Sequence, residues 1–372
     1  MKTDAYPAID VHWMLRALDL ARRGLYTADP NPRVGCVLTR DGRVIGEGFH
    51  ARAGESHAEV EALRSVAGSA AGATAYVTLE PCAHQGRTGP CAQALIEAGV
   101  VRVVAAMEDP NPPVAGKGLA QLRAADIVAE VGLLEDKARA LNPGFLSRVE
   151  RGRPFLRLKS AMSLDGRTAL NNGDSKWITG EAARADVQRY RARSAAIVTG
   201  IGTVLSDDPR MTARVDEPVT APAVVVVDST FRCPVDAQIF ASPGDKLIIG
   251  REPPEAEAAQ RAARLLARGA QIWRVAAAQK GLDLHAVVEH LNAQQMNEVL
   301  VEAGATLGGA FLQSGLVDEW VVYVAPSVLG PDARALVNTS ALDDMLARQN
   351  FVRTGCEQIG PDVKLTFLPA AV

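Results

Sequence analysis

Apolar residues recur at helical spacing through VHWMLRALDLARR, residues 11–23, and the run stops at Gly24, a residue suited to ending a helix. Two β-rich runs follow, RVGCVLT and RVIGEGF, joined by Asp41-Gly42, the preferred two-residue hairpin turn. Beyond them the pattern predicts a helix from about His57 to Val66, a strand ATAYVTLE, a loop rich in Gly and Pro, a helix from Cys91 to Ala98 and a strand VVRVVAAM. Helix and strand patterns recur through GKGLAQLRAADIVAEVGLL. This alternation predicts a layered α/β domain.

Between Asn142 and Pro154, in NPGFLSRVERGRP, the apolar periodicity gives way to Pro, Gly and basic residues. A domain boundary is expected there, dividing the chain into residues 1–150 and 151–372. Apolar strands AAIVTG, APAVVVVD, DKLIIG and NEVLVEAG then alternate with helical stretches such as PPEAEAAQRAARLLARG, so the second half is also α/β. No internal repeat or low-complexity tail stands out.

Length supports the division, because 372 residues exceed what one typical core organises. With 48% hydrophobic and 22% charged residues the composition is that of a globular protein. A net charge of −3 offers no electrostatic footprint for nucleic acid or an anionic membrane, so a bound phosphate must be held locally. The first residues, MKTDAYPAIDVHW, lack a signal peptide's apolar run, and no stretch reaches the roughly 18 apolar residues of a membrane span. Cys36, Cys82, Cys91, Cys233 and Cys356 are scattered and odd in number, which points to a reducing cytoplasm and to cysteines acting as ligands or catalysts.

Candidate chemistry begins at His57-Ala58-Glu59. In mid-helix, residues two apart point about 200° away from each other and cannot share a ligand. The first helical turn is the exception, and Gly54 and Ser56 upstream place His57 there. His57 would ligate a metal while Glu59 faces its water. Cys82 follows Pro81, and Cys91 follows Pro90 at a helix start, where the macrodipole favours thiolate. One His and two Cys leave a fourth position for water, the pattern of a catalytic zinc. His-x-Glu alone has little specificity; the two Pro-Cys steps give it weight. Cys36, in an apolar strand, is expected in the core.

The combination resembles the cytidine deaminase superfamily, whose signature is H-x-E followed by P-C-x-x-C. Here eight residues separate the two cysteines instead of two. Together HAEV, TLEPCAHQGRTGPC and the upstream NPRVGCV resemble the pyrimidine deaminase of riboflavin biosynthesis. That resemblance implies a three-layer α/β/α domain holding one Zn2+ per chain through His57, Cys82 and Cys91. It also implies hydrolytic deamination of a diaminopyrimidinone carrying a ribosylamino 5-phosphate, with Glu59 moving the proton. His84 and Arg87 would line the pocket, Arg87 taking the phosphate, and Asn31 would read the pyrimidine edge. The alternatives are a solvated loop arginine and an Asn that only forms a turn. His84 could instead complete a closed, four-ligand site.

In the second half LKSAMSLDGRTA, SKWITG, DDPRMTAR and VEAGATLGGAFL, in that order, are similar to the reductase domain fused to that deaminase, with a fold similar to dihydrofolate reductase. A strand runs into Gly304, Ala305, Thr306, Leu307, Gly308, Gly309 and Ala310 and then a helix, so phosphate oxygens can approach exposed N–H groups. The string is not G-x-G-x-x-G, and a loop serving only tight packing is its alternative.

The resemblance implies NADPH contacts at Ala161, Trp177, Thr203, Asp207, Ser229 and residues 304–310. It implies substrate contacts at Ser175, Arg191, Met211, Arg214 and Glu302, the two arginines being suited to phosphate. Lys159, Asp207 and Glu302 are the charged groups placed near the sugar carbon that receives hydride. Trp177 as core, Arg191 as a helix-face charge and Asp207 as a turn cap are the plainer readings.

The expected protein is a bifunctional cytoplasmic enzyme with small phosphorylated pyrimidine substrates, no nucleic-acid or membrane partner, and a homo-oligomeric state taken from the family. Two rivals share its features. A nucleic-acid editing deaminase would need a basic or aromatic strand-binding surface, which 5% aromatics disfavour. A non-catalytic zinc module would need a fourth protein ligand.

Overall fold

The computed structural model describes residues 6–83, 89–112, 114–278 and 281–370. The chain divides into two compact units, Met1–Gly152 and Arg153–Val372. Gly152 adopts the left-handed conformation, φ 67°, that commonly ends a helix.

The first unit runs α1 (Ala8–Arg22), β1 (Gly35–Arg40), β2 (Arg43–Phe49), α2 (Ala58–Arg64), β3 (Thr74–Val77), α3 (Cys91–Glu97), β4 (Arg102–Ala105), α4 (Lys117–Ala124), β5 (Val128–Val131), α5 (Glu135–Leu141) and α6 (Pro143–Arg151). Asp41 and Gly42 both take positive φ, 52° and 72°, as the turn between β1 and β2 requires. The sheet order is β2-β1-β3-β4-β5, with β1 antiparallel to both neighbours and β3, β4 and β5 parallel.

Alternation along each strand builds the layers. Cys36, Leu38, Ala75, Val77, Val103 and Ala105 pack with Ala58 and Ala62 of α2, Leu95 of α3 and Leu122 of α4. The intervening Val37, Tyr76 and Val104 pack the opposite way, with Met14 and Leu18 of α1, Ala138 of α5 and Phe145 of α6. The result is α/β/α.

The expected strand ATAYVTLE is shorter, ending at Val77. Past it the chain leaves the ladder, and Glu80 and Pro81 lead into Cys82.

The second unit runs β6 (Phe155–Ser163), β7 (Arg167–Ala169), α7 (Glu181–Arg193), β8 (Ala196–Gly200), α8 (Ile201–Asp207), β9 (Ala223–Val227), β10 (Lys246–Glu252), α9 (Ala256–Ala267), β11 (Gln271–Ala276), α10 (Leu284–Ala293), β12 (Glu298–Val301), α11 (Ala305–Gln313), β13 (Glu319–Ala325), β14 (Arg334–Ala335), β15 (Phe351–Ile359) and β16 (Asp362–Pro369). Nine strands form one sheet, β11-β10-β9-β8-β12-β6-β13-β16-β15, parallel from β11 to β13 and antiparallel at β16 and β15; β7 and β14 pair separately.

Central strands such as AVVVV are buried throughout because helices cover both faces. Val225, Ile249 and Val301 face α10 and α11, while Ile197, Val224 and Ile248 face α8 and α9. Among the described residues no helix is long and apolar enough to cross a membrane.

Candidate active sites

His57 is not inside the first turn. It is the residue that caps α2, with extended backbone (φ −74°, ψ 162°), and the helix starts at Ala58. The difference solves the spacing problem, since a cap residue leaves the helical path and its side chain need not follow the 100° step. Glu59, at the second helical position, is 3% exposed. Cys91 opens α3 as expected, after Pro90.

Two backbone hydrogen bonds tie the cysteines together: the Cys91 N–H donates to Cys82 Sγ at 3.3 Å and the Ala92 N–H to the Cys82 carbonyl at 3.1 Å. Thus a residue of the loop after β3 and the first turn of α3 share one anchor.

The donor atoms converge. His57 Nδ1 lies 3.3 Å from Cys91 Sγ and 3.6 Å from Cys82 Sγ, and the three ligand atoms sit within 4.8 Å of one another. Tetrahedral zinc, with Zn–N near 2.0 Å and Zn–S near 2.3 Å, holds its N and S donors about 3.5 Å apart. The set therefore fits the ion in both chemistry and spacing.

Its electrostatics agree. The Cys82 thiol is lowered to about 4, chiefly by the hydrogen bond from Cys91 and, against burial, by His57. Cys91 is pushed up by the same shared proton and by burial. The Glu59 carboxyl is raised to about 7 by burial and by the neighbouring Cys82 charge. Cys36 is a core residue, fully buried.

Asn31 is half-buried, and its Nδ2 lies 3.0 Å from His50 Nε2. His50 Nδ1 is 3.0 Å from the Ser56 carbonyl, so Nδ1 carries the proton and Nε2 accepts from Asn31. The His50 ring stands edge-on to His57, centroids 5.5 Å apart. Sequence reasoning missed His50, which belongs to no motif; only its place at the end of β2 brings it to the site. His84 and Arg87 lie outside the described residues.

In the second unit the structure gathers Lys159, Arg191, Met211, Arg214 and Glu302. Arg191 grips Glu302 with both prongs, Nε–Oε1 2.6 Å and Nη2–Oε2 3.0 Å, while Nη1 donates to the Thr212 carbonyl at 3.1 Å. Met211 Sδ is 3.9 Å from Arg191 Nη2, and Lys159 Nζ is 4.0 Å from Glu302. Burial and the nearby Arg191 outweigh each other differently here: Glu302 ends below its usual value despite burial, held down by Arg191, whereas burial lowers Lys159.

Arg191 is not a solvated helix-face charge, because its fork binds the Glu302 carboxylate. Arg214 is exposed, and its Nη1 donates to Thr212 Oγ1 at 2.9 Å.

Asp207 ends α8 and accepts from the Ser206 hydroxyl at 3.0 Å. Among the described residues no hydrogen bond or ion pair joins it to Lys159 or Glu302. Thr203 Oγ1 would lie 4.0 Å from a Cβ on Gly304, and Gly200 sits against Leu307, so α8 and α11 start side by side at the carboxyl edge of β8 and β12.

Within 304–310 only the first turn of α11 suits phosphate. Gly308 N–H already bonds the Gly304 carbonyl at 3.0 Å, and a Cβ on Gly309 would meet the Asn338 carbonyl oxygen at 2.1 Å. Gly309 thus serves close packing, and Ala310 packs on the core, where their N–H groups are inside the helical ladder.

Trp177 is 70% exposed, so it is not core, and the Arg184 guanidinium lies over its ring at 4.5 Å. Ser175 is on the same 170–180 segment, Ala161 is half-buried on β6, and Ser229 follows β9, its carbonyl accepting from the Arg251 N–H. Among the described residues no hydrogen bond or ion pair joins these three to the Glu302 cluster.

Comparison with known proteins agrees with this division. Residues 7–107 match the cytidine and deoxycytidylate deaminase zinc-binding region, and residues 154–365 match the RibD C-terminal domain. The riboflavin biosynthesis protein RibD of Escherichia coli is 46% identical over 97% of this chain and 100% of its own length. The structure of Acinetobacter baumannii RibD superimposes with TM-score 0.88 at 46% identity, covering 98% of this chain and 99% of that one.

A Thermotoga maritima structure described as a diaminohydroxyphosphoribosylaminopyrimidine deaminase/5-amino-6-(5-phosphoribosylamino)uracil reductase superimposes with TM-score 0.85 at 31% identity, covering 97% and 99%. The chain belongs to the RibD family of riboflavin biosynthesis enzymes, which join a zinc-dependent deaminase to an NADPH-dependent reductase.

Proposed function

We propose that residues 1–150 deaminate 2,5-diamino-6-(5-phosphoribosylamino)pyrimidin-4-one hydrolytically, and that residues 151–372 reduce the ribosyl chain of 5-amino-6-(5-phosphoribosylamino)uracil to ribityl. The observation carrying the first assignment is the convergence of His57, Cys82 and Cys91 beside a buried Glu59. His57, Cys82 and Cys91 would hold the zinc, whose chemistry would be to activate a water toward the carbon bearing the amine. Glu59, buried beside the ligands, would carry one proton from the attacking water to the ring nitrogen, and then a second, released from the new hydroxyl as the carbonyl forms, to the departing ammonia. Asn31 offers the pyrimidine its carboxamide, oriented by His50. Arg87 takes the phosphate.

For the reductase, the cofactor supplies hydride and the protein orients it. The first turn of α11, with Thr203 alongside, suits the NADPH phosphates; Ala161, Trp177 and Ser229 are its further contacts. Glu302, held by Arg191 and 4.0 Å from Lys159, would take the hydroxyls of the opened sugar, and Arg214 its phosphate. Ser175 and Met211 complete the substrate set, and Asp207 is the third charged group. The enzyme is expected in the cytoplasm as a homo-oligomer, with no nucleic-acid or membrane partner.

Glu59→Gln tests the first assignment. It should retain one zinc per chain and lose about 10²- to 10⁴-fold in ammonia release, while NADPH oxidation on the deaminated substrate persists. Undiminished deamination would sink the role of Glu59.

A further inference from the structure

Cys82 is delivered to the site by a carboxylate that the reaction does not use. Glu80 is 3% exposed, and both of its oxygens are saturated by backbone N–H groups. Oε2 accepts from Asp109 at 3.1 Å and Gly116 at 3.0 Å; Oε1 accepts from Gly118 at 2.8 Å and Leu119 at 3.1 Å. A carboxylate has about four acceptor positions, so none remains for a metal or a substrate. The Glu80 N–H is also fixed, donating to the Met107 carbonyl at 2.9 Å.

The four donors come from the loop after β4 and from the start of α4, where Gly116 is the cap residue at φ 72°. N–H groups in a helix's first turn lack partners within the helix, so a buried carboxylate there satisfies them and complements the macrodipole. Packing tightens the same junction. A Cβ on Gly118 would fall 1.8 Å from the Pro81 carbonyl oxygen, so α4 presses directly on the residue before Cys82. Cys82 is therefore held from two sides, by α4 through Glu80 and Pro81 and by the start of α3 through its own carbonyl and sulfur.

We infer that Glu80 is a positioning residue of the metal centre: its four backbone hydrogen bonds pin the Glu80-Pro81-Cys82 segment so that Cys82 Sγ stands at ligand distance from His57 Nδ1 and Cys91. The carboxylate touches no ligand side chain, and it acts through two residues of backbone. Outer groups that fix ligands in this way typically change metal affinity 10- to 100-fold when altered.

The inference rests on reading His57, Cys82 and Cys91 as the ligands, so the test begins with the zinc content of the unaltered chain. Glu80→Gln keeps the shape but replaces one acceptor oxygen by a donor, leaving two of the four N–H groups without partners. Zinc transfer to a chromogenic chelator should be roughly 10- to 100-fold more favourable than in the unaltered chain. The visible absorption of the cobalt-substituted protein should shift, and NADPH oxidation on the deaminated substrate should be unaffected. Glu80→Asp, which keeps the charge but is shorter, should fall between.

A merely structural Glu80 would lower the melting temperature yet leave chelator transfer and the cobalt spectrum unchanged well below melting, and that result overturns the inference. Should Glu80→Gln fail to fold, Gly116→Ala, which strains one arm of the clamp without touching the carboxylate, decides by the same two readouts. An unaltered chain without zinc would overturn the ligand set and this inference together; zinc in the unaltered chain with an unmoved variant overturns the inference alone.

Discussion

The two candidate sites are built in opposite ways. In the first unit three side-chain donors meet within 4.8 Å, and each is set by a short local device: an extended cap residue, a clamped loop residue, a helix start after proline. In the second unit the charged centre spans β6, α7, a loop and the end of β12, and it is held by side chains gripping one another, Arg191 on Glu302 above all. A metal site tolerates little displacement because donor distances are fixed by the ion. A site for a large cofactor uses helix starts and small residues, where backbone N–H groups do the binding. Hence loss of a single donor should empty the first site, whereas the second should degrade by steps.

That contrast can be broken from its strong end. Cys82→Ala or His57→Ala should release the zinc and abolish ammonia release, with NADPH oxidation on the deaminated substrate retained; metal analysis beside both assays checks it. Residual deamination at the unaltered rate would mean that the donor set is wrong.

Glu302→Gln comes next. It leaves the half-buried Arg191 facing a neutral group, and removing one partner of a fully buried pair costs about 3–5 kcal/mol, an upper bound here. Both reduction and the unfolding free energy of the second unit should fall, read by NADPH oxidation and denaturant titration. A variant of unchanged stability would show that the Arg191–Glu302 grip does not organise the unit.

Arg214→Ala should be gentler. A charge-assisted hydrogen bond to phosphate contributes about 1.5–3 kcal/mol, so KM for the phosphorylated substrate should rise roughly 10- to 100-fold with KM for NADPH unchanged. Equal loss of both would point to misfolding rather than lost contact.

The smallest effect is expected at His50→Gln. Loss of a well-oriented neutral partner for Asn31, at about 1 kcal/mol, should raise KM for the pyrimidine about fivefold with zinc content intact. Loss of zinc instead would make His50 a support of His57.

What was legible in sequence follows the same divide. Side-chain chemistry announces itself: only His and Cys make that donor set, and their proline neighbours mark where loops meet helices. The layered α/β fold was legible for a related reason, since alternating strands and helix stripes carry the pattern directly.

Residues that act through backbone or through distance carried no such mark. His50 looked like any polar strand end, and Glu80 looked like part of a strand until four N–H groups from residues 109 to 119 were seen on it. Gly309 reads as one more phosphate-loop glycine, although the nearby Asn338 backbone explains it by packing. The closing hairpin β15–β16 was not anticipated, because most of β15 faces solvent and lacks an apolar alternation.

The central claim is that one chain carries two independent chemistries, only the first of which needs the metal. Removing zinc with a chelator and assaying both steps on the same sample tests it most directly. Ammonia release should vanish and return on adding zinc, while NADPH oxidation with the deaminated pyrimidine supplied continues unchanged. Parallel loss of both activities, with no selective recovery on zinc addition, would contradict the account.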